Sequence, residues 1–527
     1  MNSQQAVADI EYDVVATADQ LTYQFYTQPR KSFTVEWGDG TTSTVPTEAS
    51  TQSHTYAAAG TYTIKVQDTT GLFDGSRYMK PGAGSSSTDA TVIACAAMVA
   101  EVRSWNTRAT VIWQYCFDRC VNMTGMEVPA GTTLINNYAF RSCSKWHPSA
   151  LPSSVTRIKE GCFRGCVLID WTSVPTGLGT NIEANTFRGC TALALTAIPN
   201  ALTSIGTNAF YECSNITFTS LPSSLTTVGQ SAFEKCSKLA LTSFPTGITS
   251  IGGSAFKQCP LITATALPPN LTTIASGAFY GCTNLALTSL PSGITSIEAT
   301  AFRECTHLAF TALPTGVTTL GTSAFYLAKN NALTTITGTG ATINGTAFSS
   351  CWRPSSQTGY DGQPHSITFL GVPTSIAATA FSTNEMLTDI YVPWSQGDVA
   401  NAPWGAPNAT VHYNTSNTPA TINLTITHPY IGTSTYTESK SSVQYNGKDW
   451  WCSDSTATDP EDPMIRMSAT SLVWYNSAWC VMWQQDGTGT PYSMGSDAGT
   501  GDAPAEGTYS VSFGMFGTCT IQIAYGT

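Results

Sequence analysis

The sequence predicts a mainly β fold in which a central repeat solenoid is flanked by a β-sandwich at each end. Three observations lead to this prediction. One motif recurs about every 23 residues through the middle of the chain, both ends alternate polar with apolar residues, and only 11% of the residues are charged. A typical globular chain has about 25% charged residues, so neutral Thr, Ser, Gly and Asn must cover much of this surface.

Four segments follow from these patterns. We expect a β-sandwich in residues 1–67, a linker in 68–94, the solenoid with its caps in 95–416 and a β-rich domain in 417–527.

The first segment alternates strand-forming residues around a tight turn. Trp-Gly-Asp-Gly at 37–40 is followed by His-Thr-Tyr at 54–56 and Gly-Thr-Tyr-Thr-Ile at 60–64. An Asp-Gly turn between alternating residues favours a hairpin. These motifs resemble the PKD domain, an immunoglobulin-like module, over about residues 10–67, and the resemblance implies that they serve the fold. The Gly/Ser-rich run at 81–87 is typical of a linker or loop.

The middle of the chain repeats a phenylalanine and a cysteine. Phenylalanines recur in steps of 23 residues, with one step of 24, at Phe117, Phe140, Phe163, Phe187, Phe210, Phe233, Phe256, Phe279, Phe302, Phe325 and Phe348. Ten of the sixteen cysteines stand three residues after one of them, and only the Phe325 unit carries Ala328 instead. Because a unit this short cannot enclose a core alone, we expect the units to stack and to bury each Phe against the next.

Each unit opens with an apolar residue and a proline and closes with a tight bend. The clearest copy is Leu-Pro-Ser-Ser-Leu-Thr-Thr-Val-Gly-Gln-Ser-Ala-Phe-Glu-Lys-Cys-Ser-Lys-Leu-Ala-Leu-Thr-Ser, at 221–243. Proline presets the backbone for a type I turn. We expect short strands at 248–251 and 294–297, and a second strand of the unit at 285–287.

The Ala-Phe-x-x-Cys-x-x-Leu block, with Leu-Pro-x-x-Leu/Ile-Thr-x-Ile, resembles the BspA-like (Treponema-type) leucine-rich repeat over roughly residues 95–415. The resemblance implies a leucine-rich-repeat solenoid with a loose entry repeat around 102–120 and a shortened last repeat at 372–381. The segments at 391–394 and 402–413 resemble endings of such repeats in bacteriophage-encoded proteins, and we expect them to form a closing cap.

The last segment differs from the repeats in pattern and charge. Residues 421–426, 508–513 and 519–523 alternate polar with apolar residues, which is typical of a sandwich. Residues 418–527 hold ten acidic and three basic residues, whereas 128–351 hold seven and eleven. Five of the thirteen tryptophans also lie here, and they predict either a core or a platform on which sugar rings stack. They are Trp450, Trp451, Trp474, Trp479 and Trp483.

A candidate binding column occupies the position directly after each repeat phenylalanine. Its basic and aromatic members are Arg141, Arg164, Arg188, Tyr211, Lys257, Tyr280, Arg303 and Tyr326, with Glu234 at the same position. Spaced one coil apart, such side chains can line a groove for an anionic glycan or a protein partner. The alternative is that these residues have no binding role and that any side chain compatible with solvent exposure can occupy this position.

Signals for metal binding and catalysis are weak. Cysteines that recur once per coil lack the close pairs of zinc sites, so we interpret them as small buried residues on a bend. The cluster Asp454, Asp459, Glu461 and Asp462 lacks the spacing of a calcium-binding loop and is typical of a solvated loop. Gly-x-Ser-x-Gly, His-Glu-x-x-His and Gly-x-Gly-x-x-Gly do not occur. We therefore predict a non-enzymatic protein with no metal and no cofactor.

Charge and hydropathy argue against two interactions of this protein, nucleic acid binding and membrane insertion. The net charge is −11 and the isoelectric point is about 5.0, which argue against nucleic acid as a partner. An uncharged apolar run of 18 residues, long enough for membrane insertion, does not occur. The N-terminus lacks the pattern of a secretory leader, so we expect that a leader was removed or that export needs none.

The leading hypothesis is a bacteriophage virion protein of tail-fibre, head-fibre or decoration type. Its expected partners are other virion proteins, a host-surface glycan or protein, or further copies of the same chain. Cysteines without evident disulfide partners suit folding in the cytoplasm. The alternatives are a bacterial cell-surface adhesin of BspA type, which the resemblance implies, and a carbohydrate-active enzyme with PKD and repeat accessory domains.

Overall fold

The computed structural model contains two compact units, residues 1–412 and 413–527. It describes residues 10–27, 32–45, 50–67, 80–81, 90–105, 110–329, 332–356 and 362–413, and then the strands between Thr421 and Gly526. Among the described residues the regular elements are strands, apart from one helix, and turns join the short strands of the repeats. The mainly β solenoid that the sequence predicts is confirmed.

The elements of the first unit are short and follow one another closely. They are β1 (Ile10–Ala16), β2 (Thr22–Thr27), β3 (Phe33–Glu36), β4 (Thr42–Val45), β5 (Ser50–Thr55), β6 (Gly60–Gln67), β7 (Lys80–Pro81), α1 (Ala90–Met98), β8 (Val99–Trp105), β9 (Val111–Ile112), β10 (Thr124–Gly125), β11 (Leu134–Ile135), β12 (Arg157–Ile158), β13 (Asn181–Ile182), β14 (Ser204–Ile205), β15 (Thr227–Val228), β16 (Ser250–Ile251), β17 (Thr273–Ile274), β18 (Ser296–Ile297), β19 (Thr319–Leu320), β20 (Thr335–Ile336), β21 (Thr342–Ile343), β22 (His365–Phe369), β23 (Ser375–Ile376), β24 (Leu387–Tyr391) and β25 (Thr410–His412).

The N-terminal strands form two sheets. One has the order β10-β8-β1-β6-β3-β4 and the other the order β5-β2-β7. Aromatic rings pack between the two sheets. The ring centroids of Tyr12 in β1 and Tyr23 in β2 lie 6.2 Å apart, and the side chains of Tyr12, Tyr23 and Phe25 are buried. The motif residues serve this packing: the Trp37 ring stacks on His54, and His54 Nε2 lies 2.7 Å from Asp39 Oδ2. The PKD resemblance itself stays a prediction.

The N-terminal sheet continues into the first repeat. Strand β8 pairs antiparallel with β1 and parallel with β10. Helix α1 precedes β8 and begins at Ala90, inside the expected linker. Its sequence, Ala-Thr-Val-Ile-Ala-Cys-Ala-Ala-Met, is rich in alanine, the strongest helix former. The division into four segments stays a prediction, but one sheet crosses from the first of them into the third.

In the solenoid, two-residue strands pair in parallel with their equivalents one coil away. Ser204 pairs with Thr227, and Ile205 pairs with Val228. The strands expected at 248–251 and 294–297 are present in shortened form, as β16 and β18. The second strand expected at 285–287 is wrong. That segment makes single bonds between coils, such as the 2.9 Å bond from Ala309 N–H to the Leu287 carbonyl, and these do not form a ladder.

The bend around each phenylalanine satisfies its backbone in two directions. The N–H groups of Ser254, Phe256 and Gln258 donate to carbonyls of the following coil at 2.8, 2.9 and 2.7 Å. The N–H groups between them donate to carbonyls three residues earlier in the same coil. Ser254 and Gln258 have φ values of 56° and 59°, in the left-handed region. This conformation alternates the direction of the amides, so each bend is bonded both within itself and to its neighbour.

The stacked phenylalanines form the predicted core. Their centroids lie 5.7 Å apart at Phe117–Phe140 and 5.2 Å apart at Phe348–Phe381, and none of these rings is more than 2% exposed. The ten repeat cysteines are buried thiols, which confirms their interpretation as buried bend residues.

The repeat cysteines also form hydrogen bonds between coils, which the sequence did not predict. From the second repeat onward, each thiol donates to the carbonyl of the phenylalanine in the preceding coil, as Cys259 Sγ does to Phe233 O at 3.0 Å. The same contact is made by Cys143, Cys166, Cys190, Cys213, Cys236, Cys282, Cys305 and Cys351. The cysteines therefore link neighbouring coils as well as filling space.

The described strands of the second unit form one eight-stranded antiparallel sheet. They are β26 (Thr421–His428), β27 (Gly432–Tyr445), β28 (Lys448–Cys452), β29 (Ile465–Ser468), β30 (Ser471–Asn476), β31 (Trp479–Gln484), β32 (Gly507–Ser512) and β33 (Thr518–Gly526). Their order is β31-β30-β29-β28-β27-β26-β33-β32. A C-terminal sandwich stays a prediction.

Candidate functional site

The column of residues directly after the repeat phenylalanines lies on the outer side of the bends. All eight predicted members are partly exposed, whereas the phenylalanine before each of them and the cysteine or alanine two residues after each of them are buried. We call this set the outer column. The structure brings four pairs of members on neighbouring coils into contact: Arg188–Tyr211, Lys257–Tyr280, Tyr280–Arg303 and Arg303–Tyr326.

The outer column starts with a neutralised arginine. Arg141 donates from Nε and Nη2 to the two carboxylate oxygens of Asp118, at 2.7 and 2.5 Å. Its guanidinium also lies 5.0 Å from the centroid of the Tyr138 ring, which stacks on Tyr115. A two-pronged ion pair and an aromatic face together hold this side chain in one place.

The next two members are arginines whose charge is not neutralised in this way. Arg188 lies 4.8 Å from the centroid of the Tyr211 ring, and no carboxylate among the described residues lies within 4.0 Å of Arg164 or Arg188. Burial, together with the neighbouring guanidiniums of Arg188 and Arg141, lowers the pKa of Arg164. This part of the outer column is therefore a concentration of positive charge.

The last members form a continuous run of ion pairs and cation–π contacts. Lys257 Nζ lies 3.0 Å from the buried carboxylate of Glu234 and 5.7 Å from the Tyr280 ring centroid. Arg303 lies between the Tyr280 and Tyr326 rings, at 5.1 and 4.8 Å. In these coils each cation is matched by an acid or an aromatic ring.

In some coils a second charged residue, which the repeat pattern did not single out, stands one position further along the bend. Glu212 accepts a 2.7 Å hydrogen bond from Lys235 Nζ, and Glu304 pairs with Arg303 at 3.2 Å. A signal was present in the sequence, because Glu212 and Lys235 are opposite charges one repeat apart. The pairs Asp118–Arg141 and Glu234–Lys257 show the same spacing.

The C-terminal tryptophans lie in β28, β30 and β31, and their side chains are outside the described residues. Backbone register puts Trp451 and Trp483 in one row of paired positions, through Met467 and Leu472. The acidic cluster at 454–462 also lies outside the described residues. Both interpretations of the tryptophans stay open.

Neither a metal centre nor an activated cysteine is found in the described part of the chain. It has no group of three His, Cys, Asp or Glu side chains placed to hold a metal ion. Burial raises the pKa of Cys259 and of the other repeat thiols, which keeps them protonated. Among the described helices, none has the length and apolar character needed to span a membrane.

Comparison with known proteins supports the repeat assignment. The family described as "BspA type Leucine rich repeat region" matches residues 110–240 and 238–353, in six copies. No curated protein sequence matches the chain.

Solved structures show weak similarity. A leucine rich cell surface protein from Faecalibacterium prausnitzii is 23% identical over 45% of this chain and 83% of its own, with a TM-score of 0.30. A leucine-rich repeat protein from Bacteroides ovatus is 18% identical over 59% and 71%, with a TM-score of 0.34. The Leucine Rich Repeat protein of T. pallidum is 24% identical over 36% and 76%, with a TM-score of 0.23.

Proposed function

Residues 110–353 form a leucine-rich repeat region of the BspA type, and from this premise we propose that the protein is a non-enzymatic attachment protein that binds a surface glycan or protein through its outer column. The observation that carries this proposal is the column itself. Arginine and tyrosine, the residue types enriched where proteins bind partners, recur there on neighbouring coils and remain partly exposed.

The scaffold suits this role because it holds the column rigidly. Each bend is bonded to the next through backbone amides and a thiol, and the side chains of the column are further held by ion pairs and ring contacts. Side chains that are ordered before binding lose less conformational entropy when a partner arrives. A repetitive rigid face therefore favours binding over catalysis.

The proposal is tested by cell binding. Labelled full-length protein is incubated with a panel of bacterial strains and measured by flow cytometry, beside a variant in which Arg164, Arg188 and Lys257 are replaced by Gln. We expect the variant to lose most of the binding. The matched control replaces Lys145, Lys238 and Arg157, three exposed cations of the same repeats outside the column, and should bind as the original protein does. Equal loss in both variants, or no binding by the original protein, would show the proposal to be wrong.

Two settings for this activity are supported by different observations. The repeat cysteines are buried thiols, and proteins that keep thiols reduced fold in reducing compartments, which favours assembly in the cytoplasm as part of a bacteriophage virion. The BspA-type region favours a bacterial cell-surface adhesin. Antibody labelling of purified virions and of intact producing cells separates them, because only one of the two surfaces will carry the protein.

A further inference from the structure

We propose that Arg164 and Arg188 bind the acidic groups of an anionic polysaccharide. This inference rests on the proposed function, because it names the ligand class of the same outer column.

The first observation is a break in the pattern of charge pairing. Arg141, Lys257 and Arg303, the other cations of the outer column, each have a carboxylate within 4.0 Å. Arg164 and Arg188 are consecutive in the column and have none among the described residues. Since the chain as a whole carries a net charge of −11, two adjacent cations without an acid stand out as a place for an external anion.

The second observation is the bare backbone beside these two arginines. The following residues are Gly165 and Gly189, with φ values of 77° and 75°. Glycine recurs at this position beside Tyr280, as Gly281, whereas the paired cation Arg303 is followed by the charged side chain of Glu304. A Cβ atom on Gly189 would meet nothing nearer than the Gly165 backbone at 3.8 Å. Glycine thus leaves the surface next to both guanidiniums open, and a ligand can approach the backbone closely.

The electrostatics agree with an anion site. Arg164 lies between two like charges, and its pKa is lowered by burial and by these neighbours. A bound oxyanion relieves this repulsion and accepts hydrogen bonds from the planar guanidiniums, which match carboxylate and sulfate groups in geometry.

The spacing favours a polysaccharide over other acidic polymers. The Phe163 and Phe187 rings of these two coils are 5.6 Å apart. Side chains on one face of an extended peptide recur about every 6.6 Å, and the phosphates of each strand of a DNA duplex advance by about 3.4 Å along the helix axis. A polysaccharide with one acidic group on each pyranose ring advances, with each sugar, by about the distance between neighbouring coils. Its successive acidic groups can therefore reach successive arginines.

The experiment measures binding of full-length protein to defined oligosaccharides by calorimetry. The probes are tetragalacturonate, which has one carboxylate per ring, its fully methyl-esterified form, a heparin tetrasaccharide and a tetraglutamate peptide. The site variant is Arg164→Gln with Arg188→Gln. The control variant is Lys145→Gln with Lys238→Gln, which removes the same charge from two exposed cations of the repeats that lie outside the outer column.

We expect the original protein to bind an acidic oligosaccharide, with an affinity that falls as the salt concentration is raised. It should not bind the methyl-esterified tetragalacturonate. The site variant should bind at least about tenfold more weakly, as expected for lost charge-assisted hydrogen bonds, while the control variant stays within about twofold. The unfolding midpoint shows whether each variant is folded. We expect little change in the site variant, because the removal of like charges offsets the loss of the Arg188–Tyr211 contact.

Three results would overturn the inference: equal affinity in the site variant, equal loss in the control variant, or tighter binding of the peptide. The proposed function is tested separately by the cell assay. If the protein binds cells but no acidic oligosaccharide, the inference is wrong and the attachment role stands. If it binds neither, both are wrong.

Discussion

The inner and outer sides of the same bend follow different rules. On the inner side, phenylalanine recurs from Phe117 to Phe348 and a cysteine follows it in all of these coils but the Phe325 coil, and both are buried. On the outer side, one position further along, the residue changes among Asp, Arg, Tyr, Glu, Lys and Ser. Close packing leaves the inner position only one shape that fits, whereas the outer position contacts only its neighbours and solvent. The inner column thus specifies the fold, and the outer column is free to specify what is bound.

The largest test of this comparison removes an inner ring. Phe256→Ala opens a cavity between the Phe233 and Phe279 rings, at 5.4 and 5.7 Å, and should lower the free energy of unfolding by about 3–5 kcal/mol. Tyr280→Ala, on the outer side, should cost about 1 kcal/mol or less. Denaturant unfolding of both variants measures the difference, and equal costs would contradict the distinction between the two columns.

A smaller loss is expected where an added methyl group meets a packed ring. Gly161 has φ 60°, and a Cβ atom there would lie 2.2 Å from the Tyr138 ring. Gly277 is the matched control, because it has the same place in its repeat and φ 62°, but its nearest atom is a serine hydroxyl at 3.1 Å. Gly277→Ala should cost about 1–2 kcal/mol from the left-handed conformation alone.

Gly161→Ala should cost about 1–3 kcal/mol more than this control, from overpacking. It should also change the near-ultraviolet signal of the Tyr115–Tyr138 stack. The same cost in both variants would mean that the ring moves aside freely.

The thiol contact should contribute less than the ring. Cys259→Ala removes the donor to the Phe233 carbonyl and some buried volume, and should cost about 0.5–3 kcal/mol. Cys259→Ser keeps a donor at nearly the same place. Because the hydrogen bond to the Phe233 carbonyl is retained, we expect this variant to lose less free energy of unfolding than Cys259→Ala. Unfolding curves of the two variants decide between them, since a larger loss for serine would make the thiol a packing group only.

The smallest effect is a gain at the exceptional repeat. Ala328 stands where the other units carry cysteine, so the Phe302 carbonyl receives the amide of Cys305 but no thiol. Ala328→Cys should restore the donor and raise the free energy of unfolding by about 0.5–1 kcal/mol. A loss of stability would show that this coil is packed differently from its neighbours.

Much of the fold was predictable because its physical cause is local and repeated. The spacing of Phe117 to Phe348 predicted the stack, and the buried cysteines followed from their constant distance to it. The prediction of a second strand was wrong. The segment has the alternating apolar residues of a strand, but it makes only single hydrogen bonds between coils, which do not form a ladder. The sharing of one sheet by β1 and β8 was not predictable, since nothing near Ile10 points to its partner Trp105.

The candidate site divides in the same way. The sequence by itself determined which residues occupy the outer column, because a constant period places Arg141, Arg164 and Arg188 one above another. Only the tertiary structure decided which of these charges are neutralised and that glycines leave the surface open beside two of them. Ion pairing depends on distances of a few ångströms, and residues a full repeat apart come within that range only after the coils have stacked.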